Sequence, residues 1–257
     1  MTAVLVIAGT DSSGGAGLVR DVRTLAHFGT AALCAVTAVT AQSDAQLLAV
    51  EVLRPELVRA QIAAALVRGT VTAVKTGMLA TRATVEVVAD TLPARDSLPL
   101  VVDPVLAASS GGELLDVAGR QALIEHLLPR ATLLTPNIPE AAALLGSRPG
   151  SSEEELLEQA RALCARGARA VLLKGGHAQG TQAVDWLVSR DGGVQRFSAP
   201  RAAVRMRGTG CALASAVAAG LATGLALEPA CERAKRHVTD LLQACATRVN
   251  QHGGHSL

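Results

Sequence analysis

The chain has 257 residues, 49% of them apolar, and its 24 Lys and Arg residues nearly balance 22 Asp and Glu residues. This length and apolar share suit one large α/β domain. A net charge of +2 and an aromatic content of 1% argue against nucleic-acid binding, and no apolar run is long enough to cross a membrane. The five cysteines lack a C-x-x-C pair, which argues against a zinc framework and favours a reducing cytoplasm.

Apolar runs of strand length alternate with helical patterns along the chain. The predicted strands are residues 3–8, 32–39, 73–74, 100–102, 132–134, 170–173 and 183–188. The predicted helices are residues 17–28, 55–68, 81–92, 117–127, 139–145, 152–166, 209–223 and 228–245. Several strands are apolar throughout, as buried parallel strands tend to be, so the alternation predicts a mostly parallel central sheet with helices on both faces.

Turn and capping signals refine this α/β prediction. Residues 184–198 contain Asp191-Gly192-Gly193 between two short runs, which predicts a hairpin and an antiparallel edge. Ser152, with Glu155 three residues later, predicts a capping box at a helix start. Because no linker or repeat divides the chain, we expect one domain over residues 1–249 and a flexible tail over residues 250–257.

The stretch Gly208-Thr209-Gly210-Cys211 precedes a run of small residues typical of a closely packed helix. A glycine-rich turn at a helix N-terminus points unpaired amides and partial positive charge at one spot, which suits phosphate oxygens. The same field lowers the pKa of a thiol in the first turn, so we expect Cys211 to be partly thiolate near neutral pH. Together these features suggest phosphoryl transfer. The alternative is a tight turn before a packed helix with a buried cysteine.

Polar residues follow several predicted strands, at the sheet edge where ligands bind in such folds. Asp103 is placed to hold Mg²⁺ or its waters, and Lys174, followed by two glycines, suits a triphosphate. Asn137 and Glu140 lie on one side of a first helical turn, where they either serve a magnesium–phosphate assembly or cap the helix. Asp21 is either a ligand contact or an exposed helix residue.

Seven short motifs follow one another along nearly the whole chain. They are Gly9-Thr-Asp-Ser-Ser-Gly-Gly-Ala-Gly17, Ala41-Gln42, Val74-Lys-Thr-Gly-Met78, Val102-Asp-Pro-Val105, Leu134-Thr-Pro-Asn-Ile-Pro-Glu140, Lys174-Gly-Gly-His177 and Gly208-Thr-Gly-Cys211. Each motif is modest evidence by itself, but the ordered set strongly resembles the hydroxymethylpyrimidine/phosphomethylpyrimidine kinases of thiamin biosynthesis, within the ribokinase-like superfamily. The resemblance covers roughly residues 3–245.

The resemblance implies a ribokinase-like fold of three layers, α/β/α, commonly assembled as a homodimer. The implied reaction transfers the γ-phosphoryl group of ATP, with Mg²⁺, to the hydroxymethyl group of a small aminopyrimidine alcohol. A second transfer, to the monophosphate, would then give the diphosphate. No nucleic acid or membrane is an implied partner.

The resemblance also assigns roles to individual residues. The pyrimidine pocket would be lined by Gly9, Asp21, Gln42, Met78 and Val105. Asp103 and Glu140 would hold Mg²⁺, while Asn137, Lys174 and Thr209 would contact the ATP phosphates. Gly208, Thr209 and Gly210 would form the anion hole, and Lys174 would assist the transfer. Cys211 would be the general base, where many ribokinase relatives have Asp.

Departures from the family's pattern, at residues 43–45, 109–111 and 205–207, and two alternative functions stay open. The family usually has Asn-Thr-His before the anion-hole glycines, whereas this chain has Arg205-Met206-Arg207, which bears on acceptor choice and on the second phosphorylation. A pyridoxal or pyridoxine kinase on the same scaffold is the main alternative. A non-catalytic ligand-binding module is the other, although the joint presence of Asp103, Lys174 and Cys211 argues against it.

Overall fold

One nine-stranded sheet forms the centre of the molecule. The computed structural model describes residues 2–43, 45–108, 111–176 and 180–251, the last three of these as backbone. The strands are β1 Ala3–Asp11, β2 Ala31–Gln42, β3 Leu47–Val52, β4 Val71–Thr76, β5 Leu100–Val102, β6 Leu133–Leu134, β7 Ala170–Lys174, β8 Gln182–Ser189 and β9 Val194–Pro200. Their spatial order is β3-β2-β1-β4-β5-β6-β7-β8-β9. The six neighbouring strands β2-β1-β4-β5-β6-β7 run parallel. Strand β3 pairs antiparallel with β2 at one edge, and β8 and β9 continue the other side of the sheet through antiparallel pairs.

Helices cover both faces of this sheet. They are α1 Gly17–His27, α2 Pro55–Val67, α3 Arg82–Thr91, α4 Val117–Ala122, α5 Ile138–Leu145, α6 Glu153–Ala165, α7 Thr209–Ala222 and α8 Leu227–Gln251. Successive side chains of β1 point to opposite faces, so Val4 and Val6 pack with α1, α7 and α8, whereas Leu5 and Ile7 pack with the helices from α2 to α6. The predicted three-layer α/β/α class is therefore confirmed.

The same alternation determines toward which face of the sheet the charged side chains near the strand ends point. Ala73, Val101 and Leu172 pack on the face that carries α7. Residues two positions later on extended chain point to the same face, and these are Lys75, Asp103 and Lys174. Three charged side chains from three parallel strands are thereby directed toward α7.

The structure differs from the sequence predictions at a few elements. Strand β3 was not predicted, because an edge strand that is largely exposed lacks a clear apolar pattern. The helix predicted over residues 117–127 is α-helical only to Ala122 and continues as a π-helical turn over Leu123–Leu127. Helix α8 continues through Gln251, and residues 252–257, the rest of the predicted tail, lie outside the described residues. Within the described residues, no helix is both long and apolar enough to pass through a bilayer.

The capping prediction at α6 is half correct. The Ser152 side chain accepts a hydrogen bond from the Glu155 amide at 3.2 Å, as an N-cap residue does. The Glu155 carboxylate accepts its shortest hydrogen bonds from the amide and the hydroxyl of Ser151, at 2.7 and 2.8 Å. The N-cap half of the predicted box is therefore formed, whereas the Glu155 side chain is held mainly by the residue before the cap.

Candidate active site

The N-terminus of α7 opens beside two of the charged residues at the strand ends. Gly208 precedes the helix with φ of 74°, and the amide of Ala212 makes a helical hydrogen bond to its carbonyl at 2.9 Å. The amides of the three residues between them therefore lie at the open end of the helix. A Cβ added to Gly210 would lie 3.1 Å from Nζ of Lys174 and 3.9 Å from Oδ2 of Asp103. The structure thus brings Gly210, Lys174 and Asp103 together.

Lys174 is a cation held in place by carboxylates. Its Nζ donates to Oδ1 of Asp103 at 3.0 Å and lies 3.9 Å from Oε2 of Glu140. Thr135 Oγ1 donates to the same Oδ1 at 3.2 Å, which orients the Asp103 carboxylate. Burial disfavours the ammonium, but the charges of Asp103 and Glu140 outweigh it and raise the pKa of Lys174.

Asn137 and Glu140 form a complete capping box at the start of α5. The Glu140 amide donates to Oδ1 of Asn137 at 2.8 Å, and the Asn137 amide donates to Oε2 of Glu140 at 2.7 Å. The structure thus shows the capping alternative, and contacts of these two side chains with phosphate or metal stay predictions. Burial raises the pKa of Glu140 to about 7, against the attraction of Lys174 and with the repulsion of Asp103.

The described residues contain no cluster of three or more His, Cys, Asp or Glu side chains arranged as metal ligands. Mg²⁺ bound to a nucleotide needs no such cluster, because it takes one or two protein carboxylates and fills its other positions with phosphates and water. Asp103 and Glu140 both approach the Lys174 ammonium and so lie close to one another. This pair of oxygen donors fits that ion.

Cys211 lies in the first turn of α7 and is half-buried. Burial raises the pKa of its thiol to about 11, against the attraction of Lys75, while Asp21 and Asp103 raise it further. The hydrogen bond from the Gly17 backbone, which favours the thiolate, is a smaller contribution. Burial and the two carboxylates therefore act against the partial thiolate that the sequence predicts near neutral pH.

Lys75 is a functional candidate that the sequence analysis missed. It is fully buried, and its Nζ donates to both carboxylate oxygens of Asp21, at 3.0 and 2.9 Å. Burial disfavours this ammonium, but the attraction of Asp21 and then of Cys211 outweighs it and raises the pKa of Lys75. The available signal was a lysine that directly follows the apolar residues Ala73 and Val74 in β4, since a fully buried lysine needs a carboxylate partner.

Asp21 is fully buried as well, so the alternative of an exposed helix residue is wrong. Besides Lys75, it accepts a hydrogen bond from Oγ of Ser215 at 2.8 Å. Its carboxylate thus joins α1, β4 and α7. A direct contact between Asp21 and a substrate stays a prediction.

Three of the residues assigned to the pyrimidine pocket lie together. A Cβ added to Gly9 would lie 2.9 Å from Sδ of Met78. Val105 packs against the small apolar cluster that contains Met78. Gln42 lies at the end of β2, where its backbone N–H donates to Oγ of Ser12 at 2.8 Å. The structure therefore places an apolar wall beside the carboxyl ends of the central strands.

Arg207 connects the segment before α7 to the loop after β1, a connection that the sequence analysis did not predict. Its guanidinium donates to Oδ2 of Asp11 at 3.0 Å, to Oγ of Ser13 at 3.1 Å and to the carbonyl of Ser43 at 2.9 Å. These contacts hold the glycine-rich loop against the start of α7. His177, in the motif Lys174-Gly-Gly-His177 at the end of β7, lies outside the described residues.

Comparisons with known proteins agree with this arrangement. A family model described as phosphomethylpyrimidine kinase matches residues 11–256. The hydroxymethylpyrimidine/phosphomethylpyrimidine kinase of Rhizobium meliloti is 43% identical over 246 residues, which are 95% of this chain and 92% of that protein.

Two solved structures resemble the whole fold. A phosphomethylpyrimidine kinase from Clostridium difficile superposes with a TM-score of 0.82 at 33% identity, covering 94% of this chain and all of that one. The pyridoxal kinase of Bacillus subtilis, solved as an ADP complex, gives 0.85 at 32% identity, covering 93% of this chain and 90% of that one. The motif resemblance is confirmed, and the chain belongs to the phosphomethylpyrimidine kinase family, with a ribokinase-like fold.

Proposed function

We propose that this chain phosphorylates 4-amino-5-hydroxymethyl-2-methylpyrimidine with ATP and then phosphorylates the monophosphate, as a step of thiamin biosynthesis. The observation that supports it best is the convergence of Gly210, Lys174 and Asp103 at the open end of α7. The apolar wall of Gly9, Met78 and Val105 lies at the same edge of the sheet, where it can hold a small heterocycle.

The phosphate side of the site supplies positioning and charge, which are what phosphoryl transfer mainly requires of a protein. The amides of Thr209 and Gly210 and the ammonium of Lys174 stabilise the charge that spreads over the equatorial oxygens. Asp103 and Glu140 would hold Mg²⁺, and the ion would supply positive charge that neutralises phosphate oxygens. The Asn137 backbone amide orients the Glu140 carboxylate through the capping box.

Cys211 accepts the proton of the hydroxymethyl group as that oxygen bonds to the γ-phosphorus and the bond to the ADP oxygen breaks. Only the thiolate can accept this proton, and a pKa of about 11 leaves a small thiolate fraction at neutral pH. The buried ammonium of Lys75 opposes this effect of burial. Asp103 raises the pKa of the thiol, so a cation held at Asp103 would favour the thiolate.

A pyridoxal kinase activity is the second candidate, since the pyridoxal kinase of Bacillus subtilis superposes as well as the pyrimidine kinase does. We favour the pyrimidine because the Gln42 amide offers both a donor and an acceptor to the edge of a base. Met78 adds an apolar surface for the ring.

Mass spectrometry of the products tests the proposal. The purified chain is incubated with ATP, Mg²⁺ and the hydroxymethylpyrimidine, and we expect products with one and then two added phosphates. A single addition would remove the second transfer. No addition, together with a higher kcat/KM on pyridoxal, would establish the second candidate instead.

We also propose that the enzyme is a cytoplasmic homodimer. The five cysteines are all unpaired in the structure, which suits a reducing compartment, and the family resemblance supports the dimer. Light scattering during size exclusion should give twice the mass of 26.2 kDa. A mass equal to one chain at micromolar concentration would contradict the dimer.

A further inference from the structure

Asp185 on β8 lies directly opposite Lys174 on β7 in the antiparallel ladder. Residues opposed in this way share a face of the sheet, with their Cβ atoms about 5 Å apart. A carboxylate at this position is therefore a natural partner for the Lys174 ammonium. Lys174 nevertheless pairs with Asp103 and Glu140, on the other side of β7.

The Asp185 carboxylate is occupied by two other donors. Its Oδ1 accepts from the Gly175 amide at 3.0 Å, and its Oδ2 accepts from Nζ of Lys235 on α8 at 2.8 Å. The side chains of Asp185 and Lys235 are only 6% and 12% exposed. The pair is therefore a well-shielded ion pair, in which each charge depends on the other.

The backbone immediately after Lys174 is fixed by the same carboxylate. A Cβ added to Gly175 would lie 2.1 Å from the carbonyl oxygen of Val184, so the two strands approach too closely for a side chain. The hydrogen bond from the Gly175 amide to Asp185 then determines where β7 ends. Lys174 leaves the sheet from this fixed point.

We propose that Lys235 is a positioning residue for Lys174. Lys235 neutralises the Asp185 carboxylate. The Lys174 ammonium is therefore available to pair with Asp103 and with the phosphates of ATP. Without Lys235, the buried carboxylate opposite Lys174 attracts that ammonium away from the nucleotide. This inference rests on the proposed function, in which Lys174 contacts the ATP phosphates.

Calorimetric binding of ATP and of AMP to Lys235→Met, without acceptor, tests the inference. We expect ATP affinity to fall roughly 10- to 100-fold, the range for losing a charged hydrogen bond. AMP affinity should stay as in the wild type, because AMP lacks the phosphates that Lys174 contacts. Arg236→Met is the matched control, since Arg236 is the next residue on α8 and its side chain is 68% exposed.

A second variant distinguishes positioning from loss of structure. Asp185→Asn combined with Lys235→Met keeps an acceptor for the Gly175 amide and removes the competing charge, so ATP affinity should recover most of the loss. If Lys235→Met fails to fold, Lys235→Gln keeps a donor to Asp185 without the charge and takes its place. Unchanged ATP affinity, an equal loss for AMP, or no recovery in the double variant would each overturn the inference. These binding measurements contain no phosphate acceptor. Their outcomes can therefore be interpreted even if the chain does not phosphorylate the pyrimidine.

Discussion

Nζ of Lys75 lies 2.9 Å from Oδ2 of Asp21, and neither side chain is exposed to solvent. The pair joins β4 to α1, and Ser215 of α7 adds a hydrogen bond to the same carboxylate. Three of the elements that form the candidate site therefore share one buried charge network. A buried ion pair adds little net stability, but removing one partner leaves the other charge uncompensated.

Lys75→Met should lower the free energy of unfolding by about 3–5 kcal/mol, because it leaves the Asp21 carboxylate buried without a cation. Urea unfolding measures this loss. The double variant Asp21→Asn with Lys75→Met, which buries no charge, should lose less than the single variant. Arg82→Met is the exposed control, since the Arg82–Glu86 pair is 47% and 41% exposed and such pairs contribute less than about 1 kcal/mol. Equal losses for Lys75→Met and Arg82→Met would show that the buried pair has no special role.

Cys211→Ala should lower kcat roughly 10²- to 10⁴-fold, as expected for loss of a general base, with little change in ATP affinity. Steady-state kinetics with each substrate varied in turn measures kcat and the KM for ATP separately. Cys211→Asp restores a proton acceptor and should recover activity, with the rate falling toward acid pH as the carboxylate is protonated. Near-wild-type turnover by Cys211→Ala would remove the proton-acceptor role.

Alkylation of Cys211 by iodoacetamide should accelerate continuously as the pH rises from neutral to about 10. The thiolate is the reactive form, and with a pKa of about 11 its fraction grows about tenfold for each pH unit below that value. Mass spectrometry of the peptide that contains Cys211 separates its rate from those of the other four cysteines. A rate that levels off near pH 7 would show that the thiol is the partial thiolate predicted from the sequence.

Arg207→Met should loosen the glycine-rich loop after β1 and raise the KM for the pyrimidine by about tenfold, the effect of losing one charged hydrogen bond. The physical reason is that this guanidinium holds Asp11, Ser13 and the Ser43 carbonyl at the start of α7. Faster amide hydrogen exchange in residues 11–16 should accompany the kinetic change. Arg205→Met is the control, because Arg205 is exposed two residues earlier. The same KM for both variants would mean that the Arg207 contacts do not order the site.

The three layers of the fold, and the edge of the sheet at which the candidate site lies, could be predicted from the sequence because both depend on local residue patterns. Apolar strands alternating with helices predict a parallel sheet, and Asp103 and Lys174 follow two of its strands. Spacing also allowed the capping box of Asn137 and Glu140 as an alternative. Local pattern therefore predicts which residues come to this edge of the sheet.

Contacts between residues far apart in the sequence could not be predicted from local patterns. Asp21 and Lys75 are 54 positions apart, and Arg207 and Asp11 are 196 apart, so packing alone brings them together. The surroundings of the Cys211 thiol depend on packing in the same way. The sequence shows the helix that lowers the pKa of the thiol but not the burial and the two carboxylates that raise it.

Gly208→Ala should destabilise the fold and impair catalysis together. Gly208 has φ of 74°, and an added Cβ would lie 2.2 Å from the carbonyl oxygen of Gly15, so the start of α7 has to move away from the loop. Gly69→Ala is the matched control: its φ is 64°, but a Cβ there meets nothing within 4 Å. Both variants incur the strain of a left-handed residue, roughly 1–2 kcal/mol, and only Gly208→Ala adds the clash, typically about 1–3 kcal/mol more. Urea unfolding should show that difference, and kcat should fall only for Gly208→Ala, because displaced amides no longer meet the transferred phosphoryl group. Equal stability and equal kcat in the two variants would show that the contact with Gly15 does not position the anion hole.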